Sequence, residues 1–315
     1  MRYLNQRRAY GETLVWLGKK NERIVALEAD LGKSTMSCLF QEEFPERYFE
    51  MGIAEANMTS VAAGLAQTGK IPFTHSFAVF SAGRAYDQIR QTISIGRLNV
   101  KICGSSSGLS DFGDGSTHQC VEDIAIMRAI PNMTVLCPAD ANETVKAVKA
   151  MAEMKGPCYI RLNRNDYENV TLPEDLFEIG MPSVIREGFE IVIFATGIMV
   201  LKALEAAKEL EGKISVKVVN VSTIKPLNAK IIRELAKGCK GIVTAEEHSI
   251  IGGLGSAIAQ ALAKACKPIE FVGIEDDFGC SAHNYNELLE HYGLTKKHII
   301  NAINNIDNFG KEVIR

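Results

Sequence analysis

No run of about 18 apolar residues occurs in the 315-residue sequence, so no membrane span is implied. No signal-peptide pattern is present either, and export is not expected. A basic stripe is also missing. The formal net charge is −3 with the signs mixed along the chain, which makes nucleic acid an unexpected partner. The eight cysteines form no Cys-x-x-Cys pair and lie singly, most of them in apolar segments such as VLCPAD. They read as buried free thiols of a reducing cytoplasm. Repeats and low-complexity segments are absent as well. What remains is a chain that is 46% hydrophobic, enough for ordinary cores, with a length that suggests about two domains.

Short apolar runs alternate with helical patterns through the first half. RIVALEAD (23–30), KIPFTHSF (70–77), LNVKICGSS (98–106), NMTVLCPAD (132–140) and CYIRLNR (158–164) read as strands. Helical patterns fall over 7–20, 55–68, 80–94, 117–129 and 141–154. This alternation predicts an α/β fold, a mostly parallel sheet with helices on both faces. Binding residues then belong at the carboxyl ends of strands, where Asp30, Phe77, Ser106 and Arg164 fall.

Residues 171–187 break the pattern and read as a linker between a first domain, 1–170, and a second, 188–315. The second is predicted to be a smaller α/β unit. FEIVIFATG, SVKVVNVSTIKPLN, KGIVTAEEHS and PIEFVGIEDDFG read as its strands. Within it, EEHSIIGGLGS places glycines at a helix start, a pattern that can cradle an anion.

The candidate chemistry begins with Glu55 in MGIAEANM, at the start of a helix. A carboxylate there favours the helix electrostatically, which is sufficient reason for its presence. Its company adds a second reading. Phe77 and Phe80 lie three apart in HSFAVF, a spacing that suits core packing or the wall of an aromatic pocket. A carboxyl group beside such rings can share a proton with a ring nitrogen.

These residues belong to a larger set. MGIAEANM, GRAYDQIRQ, GDGSTHQ, AIPNMTVLCPAD and IRLNR resemble, in order, the pyrimidine-binding domain of transketolases. IKPLN, VTAEEHSIIGGLGSAIAQ, DDFGCSA and YGLT resemble the transketolase C-terminal domain. The resemblance covers nearly the whole chain and is nearest to the separate C-terminal subunit of split transketolases. It bears on DFGDGSTHQ (111–119), whose Gly-Asp-Gly, with Asn142 beyond it, resembles the metal loop of thiamine diphosphate enzymes. In the family that loop lies in a different, N-terminal domain, and the segment seen here lines the substrate channel. The resemblance therefore implies no metal site in this chain.

Carried over residue by residue, Glu55 matches the glutamate that hydrogen-bonds the aminopyrimidine of thiamine diphosphate. Phe77 and Phe80 match the residues that hold its ring, and Asp30 matches an acid near the thiazolium. Gly83 takes a place where the family often has a third aromatic. Asp114 and His118 match channel residues that contact sugar oxygens, and His118 can also assist proton transfer. Arg164, Arg8 and Ser34 match the end that grips a phosphate, with Arg7 the neighbouring alternative to Arg8. Ser106 stands where the family typically has histidine, and Gly113 replaces an acid. These departures imply a sugar with an altered head group, sulfonated or branched.

The implied activity is transfer of a two-carbon ketol unit from a ketose to an aldose. It requires thiamine diphosphate and Mg2+ or Ca2+, the metal held mainly by an N-terminal subunit, in a heterotetramer of two plus two. Two other functions share parts of this pattern: the β subunit of a 2-oxoacid dehydrogenase, and a non-catalytic scaffold subunit.

Overall fold

The computed structural model describes residues 5–313, with side chains described to 308. Among the described residues, twelve strands form two sheets. The first contains β1 (Ile24–Glu28), β2 (Tyr48–Glu50), β3 (Ile71–Phe77), β4 (Lys101–Ser105), β5 (Thr134–Leu136) and β6 (Cys158–Arg161). The second contains β7 (Ser183–Arg186), β8 (Ile191–Ala195), β9 (Val216–Asn220), β11 (Gly241–Ser249) and β12 (Ile269–Ile274). β10 (Thr223–Lys225) follows β9 in the chain but belongs to the first sheet.

The first sheet runs β10-β5-β6-β4-β3-β1-β2, and every pair is parallel except β10 with β5. The second runs β12-β11-β8-β9-β7, parallel except for β7 with β9. All seven residues of β3 and all five of β1, β4 and β8 are buried. Apolar residues dominate β1 and β8, and the polar ones of β3 and β4 are buried too, since helices cover both faces of a parallel sheet.

Two segments differ from the sequence expectation. Ser183–Arg186, inside the stretch read as a linker, is the antiparallel edge strand β7. Its side chains are half-buried or exposed, so no apolar pattern announced it. The single strand expected over SVKVVNVSTIKPLN is two: β9 stays in its own sheet, and β10 crosses to pair with β5.

At the helix start in EEHSIIGGLGS the amides are met by the chain's own carboxylate. Glu246 turns back and accepts from the backbone N–H groups of Leu254 (2.6 Å) and Gly255 (2.7 Å), at the start of the helix Leu254–Ala261. A side chain at Gly253 would put its Cβ 2.0 Å from Glu246 Oε2, so the glycine makes room for the chain's own carboxylate.

The two sheets meet across a buried polar seam. Glu247, at the end of β11, accepts from Leu109 N (2.8 Å) and from Asn163 Nδ2 (3.1 Å), both in the first domain. Gly108 has φ 60°, and a Cβ there would lie 2.5 Å from Glu247 Cδ, so both conformation and contact demand glycine. Arg161, at the end of β6, donates from Nη2 to Glu247 O (2.7 Å) and from Nε to Asp123 (3.0 Å), which also accepts from Tyr159 OH (2.7 Å). On the same seam Glu143 accepts from Asn220 and Ser222 of the second domain.

Asp123→Ala strands the Arg161 charge in the interior and is expected to cost about 3–5 kcal/mol. Lys237→Ala, which breaks the exposed pair with Glu234, should cost less than ~0.5 kcal/mol. Urea unfolding measures both, and equal losses would show that the seam carries no special weight.

Candidate active site

In the first sheet the chain leaves β1 toward β2 on one side and returns to β3 on the other, so the crevice beyond their carboxyl ends is a switch point where open sheets bind ligands. A cleft of about 300 Å³ opens there, lined by Ala29, Asp30 and Leu31 after β1, Ile53 and Glu55 after β2, Phe80 and Arg84 after β3, and Thr117 and His118.

Glu55 is the first residue of the helix Glu55–Gln67, and only 3% of it is exposed. Its Oε1 accepts from Arg84 Nη1 at 3.2 Å. The Arg84 guanidinium lies over the Phe80 ring, 4.2 Å from its centroid. Phe77 and Phe80 stack, with centroids 6.0 Å apart and planes 14° from parallel. His118 meets both edge-on, at 6.2 and 5.4 Å. Its Nδ1 lies 2.9 Å from Thr117 Oγ1, which fixes the ring and leaves Nε2 as the outer nitrogen.

Residues 80–84 are π-helical, and this carries Phe80 and Arg84 into the cleft together. A π turn accommodates an extra residue in a helix and occurs often at functional sites. Gly83 lies in the same turn, and a Cβ there would meet nothing within 4 Å, so the wall is open at this point.

Asp30 is exposed in the left-handed region (φ 60°). Glu50 Oε1 accepts from Asp30 N (2.9 Å) and Gly52 N (3.0 Å), clamping the turns after β1 and β2 together. Beneath them Glu28 accepts from Thr35 Oγ1 (2.6 Å), Ser37 Oγ (2.5 Å) and Ala29 N (2.9 Å), which holds the loop 30–37 that carries Asp30 and Ser34.

The expected anion-gripping residues lie apart from this cleft. Arg164 is half-buried and bonds to Asp111 at 2.6 Å. Arg8 points outward and pairs with Glu12 one helical turn on (2.8 Å). Arg7 takes the inward direction instead. Its Nη1 donates to the Ser34 carbonyl (2.7 Å), and its buried Nε has no partner among the described residues. Burial, with Arg164 nearby, holds its pKa below the usual arginine value. A one-residue step turns a side chain about 100° around a helix, and here Arg7 points inward while Arg8 points outward.

Ser34 meets Arg7 through its backbone. Ser106 is fully buried with φ 51°, and its Oγ has no hydrogen-bond partner among the described residues. Asp114 is exposed at the start of the turn that carries His118. Arg84, Glu50, Glu28 and Asp111 were not singled out in the sequence. A single acid or arginine gives no signal until the fold supplies its partner.

Among the described residues no three His, Cys, Asp or Glu side chains are placed to hold a metal ion, and no helix is long and apolar enough to cross a membrane.

Comparison with known proteins gives two family matches. Residues 2–169 match the pyrimidine-binding domain of transketolase, and residues 180–299 match its C-terminal domain. The chain belongs to the transketolase family. It is 46% identical over 306 residues to a protein of Methanocaldococcus jannaschii provisionally named a transketolase C-terminal section, with 96% of each chain covered. It is 42% identical over 302 residues to the 6-deoxy-6-sulfo-D-fructose transketolase subunit SqwH of Clostridium sp. (strain MSTE9), covering 95% of this chain and 94% of that one. A solved structure described as a split gene transketolase, an inactive beta4 tetramer, superposes with a TM-score of 0.87 at 46% identity, covering 96% of this transketolase-family chain and 98% of the other. The pyrimidine-binding domain implies thiamine diphosphate as the cofactor of this family member.

The buried acid beneath the loop yields a pH test. Burial raises the Glu28 pKa to about 7, against the opposing hydrogen bonds of Ser37, Thr35 and Ala29. The folded chain thus holds this proton more tightly than the unfolded chain, where glutamate titrates near ~4.3. The stability contributed is present below the unfolded value and lost as pH rises through about 7. Between about pH 5 and 8, wild type should lose roughly 2–3 kcal/mol more than Glu28→Gln in urea unfolding. Parallel pH curves for the two proteins would refute the assignment.

Proposed function

We propose that this chain is the C-terminal subunit of a split transketolase, which moves a two-carbon ketol unit from a ketose bearing a phosphate- or sulfonate-type end to an aldose. The observation that carries the proposal is the meeting of the Glu55 carboxylate and the Phe80 face on the Arg84 guanidinium. A guanidinium is a planar nitrogen group that both stacks and donates hydrogen bonds. An aminopyrimidine ring has the same two properties, so the residues present fit the family's cofactor.

When bound, thiamine diphosphate supplies the carbon nucleophile and electron sink for breaking the C2–C3 bond of the ketose. The chain's own residues do the positioning. Glu55, shielded from water, holds a proton at a pyrimidine nitrogen, and Phe80 with Phe77 behind it supports the ring face. Asp30 borders the far side of the same cleft. His118 presents an imidazole between the rings and the opening, where it can bond to a sugar oxygen or move a proton. Asp114, on the turn before it, faces the sugar's path. Arg7 and Arg164 are the pair suited to the anionic end of the sugar, with Ser34 orienting Arg7.

The diphosphate and a divalent metal, Mg2+ or Ca2+, are assigned to a separate N-terminal subunit, in an assembly of two plus two. The names of the relatives from Methanocaldococcus and Clostridium support a divided enzyme, and the second also supports sulfonate-type sugars. The eight free cysteines suit a cytoplasmic location.

Reconstitution with an N-terminal subunit, thiamine diphosphate and magnesium tests the reading. Glu55→Ala should leave the assembly intact in sedimentation and lower ketol transfer by at least ~100-fold. Undiminished turnover would contradict the role of Glu55, and release of carbon dioxide from pyruvate would instead point to a 2-oxoacid dehydrogenase β subunit. Arg7→Gln should raise KM for an anionic ketose about tenfold or more, while Arg8→Gln changes it less than ~2-fold. Equal effects would remove the distinction drawn between the two arginines.

A further inference from the structure

The anion end contains a charge that neither the family resemblance nor the reaction accounts for. Asp111 is 4% exposed, lies in the loop after β4, and bonds to Arg164 at 2.6 Å. It also lies within electrostatic reach of Arg7, Asp114 and His118. Asp166, which accepts from Asn5 at 2.6 Å, is exposed and acts on Arg7 as well. Arg7 and Arg164 acting alone would together balance a dianion. With Asp111 tied to one of them, two cations and one anion leave a single positive charge, and Asp166 and Asp114 reduce it further. The corner is therefore poor in positive charge for a group carrying two negative charges.

Ligand chemistry divides on this point. A phosphate monoester carries close to two negative charges at neutral pH, because its second pKa is about 6. A sulfonate has the same tetrahedral oxygens and carries one charge at every accessible pH. The guanidinium forks suit either shape, so charge decides between them.

We propose that Asp111 is the specificity-determining residue of the anion end. By neutralising Arg164 it directs this chain to sugars that end in a monoanion of the sulfonate class, in preference to dianionic phosphate esters. The proposal rests on the ketol-transfer reading above, with Arg7 and Arg164 at the sugar's far end. Asp111 acts through Arg164 and is a positioning residue.

The test uses the reconstituted complex with two donors that differ only in the head group, 6-deoxy-6-sulfofructose and fructose 6-phosphate. Wild type should show a KM for the phosphate at least ~10-fold above that for the sulfonate near pH 7.5, and the ratio should shrink several-fold near pH 5.5, where the phosphate becomes a monoanion. Asp111→Asn keeps the size and one hydrogen bond. It should reduce the ratio about tenfold through the phosphate KM, with kcat for the sulfonate within ~3-fold of wild type, and should flatten the pH dependence. A wild-type preference for the phosphate, or a ratio indifferent to pH and to Asp111→Asn, overturns the proposal. The wild-type pH comparison decides the matter even where the variant does not fold. Failure of the wild-type complex to cleave either ketose is a different result, and it overturns the ketol-transfer reading itself.

Discussion

The structure depends on one buried set of hydrogen bonds, that of Glu247 and Arg161. Neither charge can lie in the interior alone, since an ion removed from water without partners costs several kcal/mol. Glu247 is satisfied only when the end of β11, the loop after β4 and the end of β6 meet, while Arg161 pairs with Asp123 in its own domain and reaches across to the Glu247 carbonyl. Apolar packing brings the two sheets together without fixing how they sit. The seam adds direction, because a hydrogen bond fails with a small rotation where a methyl contact does not. The loop held by Glu247 continues from Gly108 through Asp111 to His118, so the relation between the two domains reaches the cleft through about ten residues of chain.

Within the first domain the cleft is held by carboxylates that never touch its interior. Glu28 fixes the loop after β1 from below, and Glu50 ties that loop to the one after β2. These contacts explain how the exposed, left-handed Asp30 and the buried Glu55 remain in register although different strands carry them. A site built from several loops gains its precision from such supports, since the loops have no ladder of their own.

Much of the fold was legible in the sequence. Ile71–Phe77 and Ile191–Ala195 are buried on both faces, and the apolar, strand-forming character of IPFTHSF and IVIFA reported them as strands. β2, β7 and β10 were not legible as separate strands. They are three or four residues long, and their character comes from the edge they join. In the site, Glu55, Phe77, Phe80 and His118 were found through motifs and do converge. Arg84 was missed because its meaning depends on the π turn, which no propensity marks. Arg8 was preferred to Arg7 because composition cannot tell which side of a helix faces inward when two arginines are adjacent. Ser106 stands at a strand end where the family typically has histidine, and there the chain buries it in a left-handed turn.

β10 has a consequence for where this polypeptide can be divided. Thr223–Lys225 belongs by sequence to the second half, yet it finishes the border of the first sheet against β5. A cut anywhere in the connecting stretch before β7 would strip that border and leave the β5 amides and carbonyls open to foreign strands. The physical boundary between the halves therefore does not coincide with any single bond of the backbone, and a piece ending near residue 180 would be a sticky fragment rather than a smaller version of the whole.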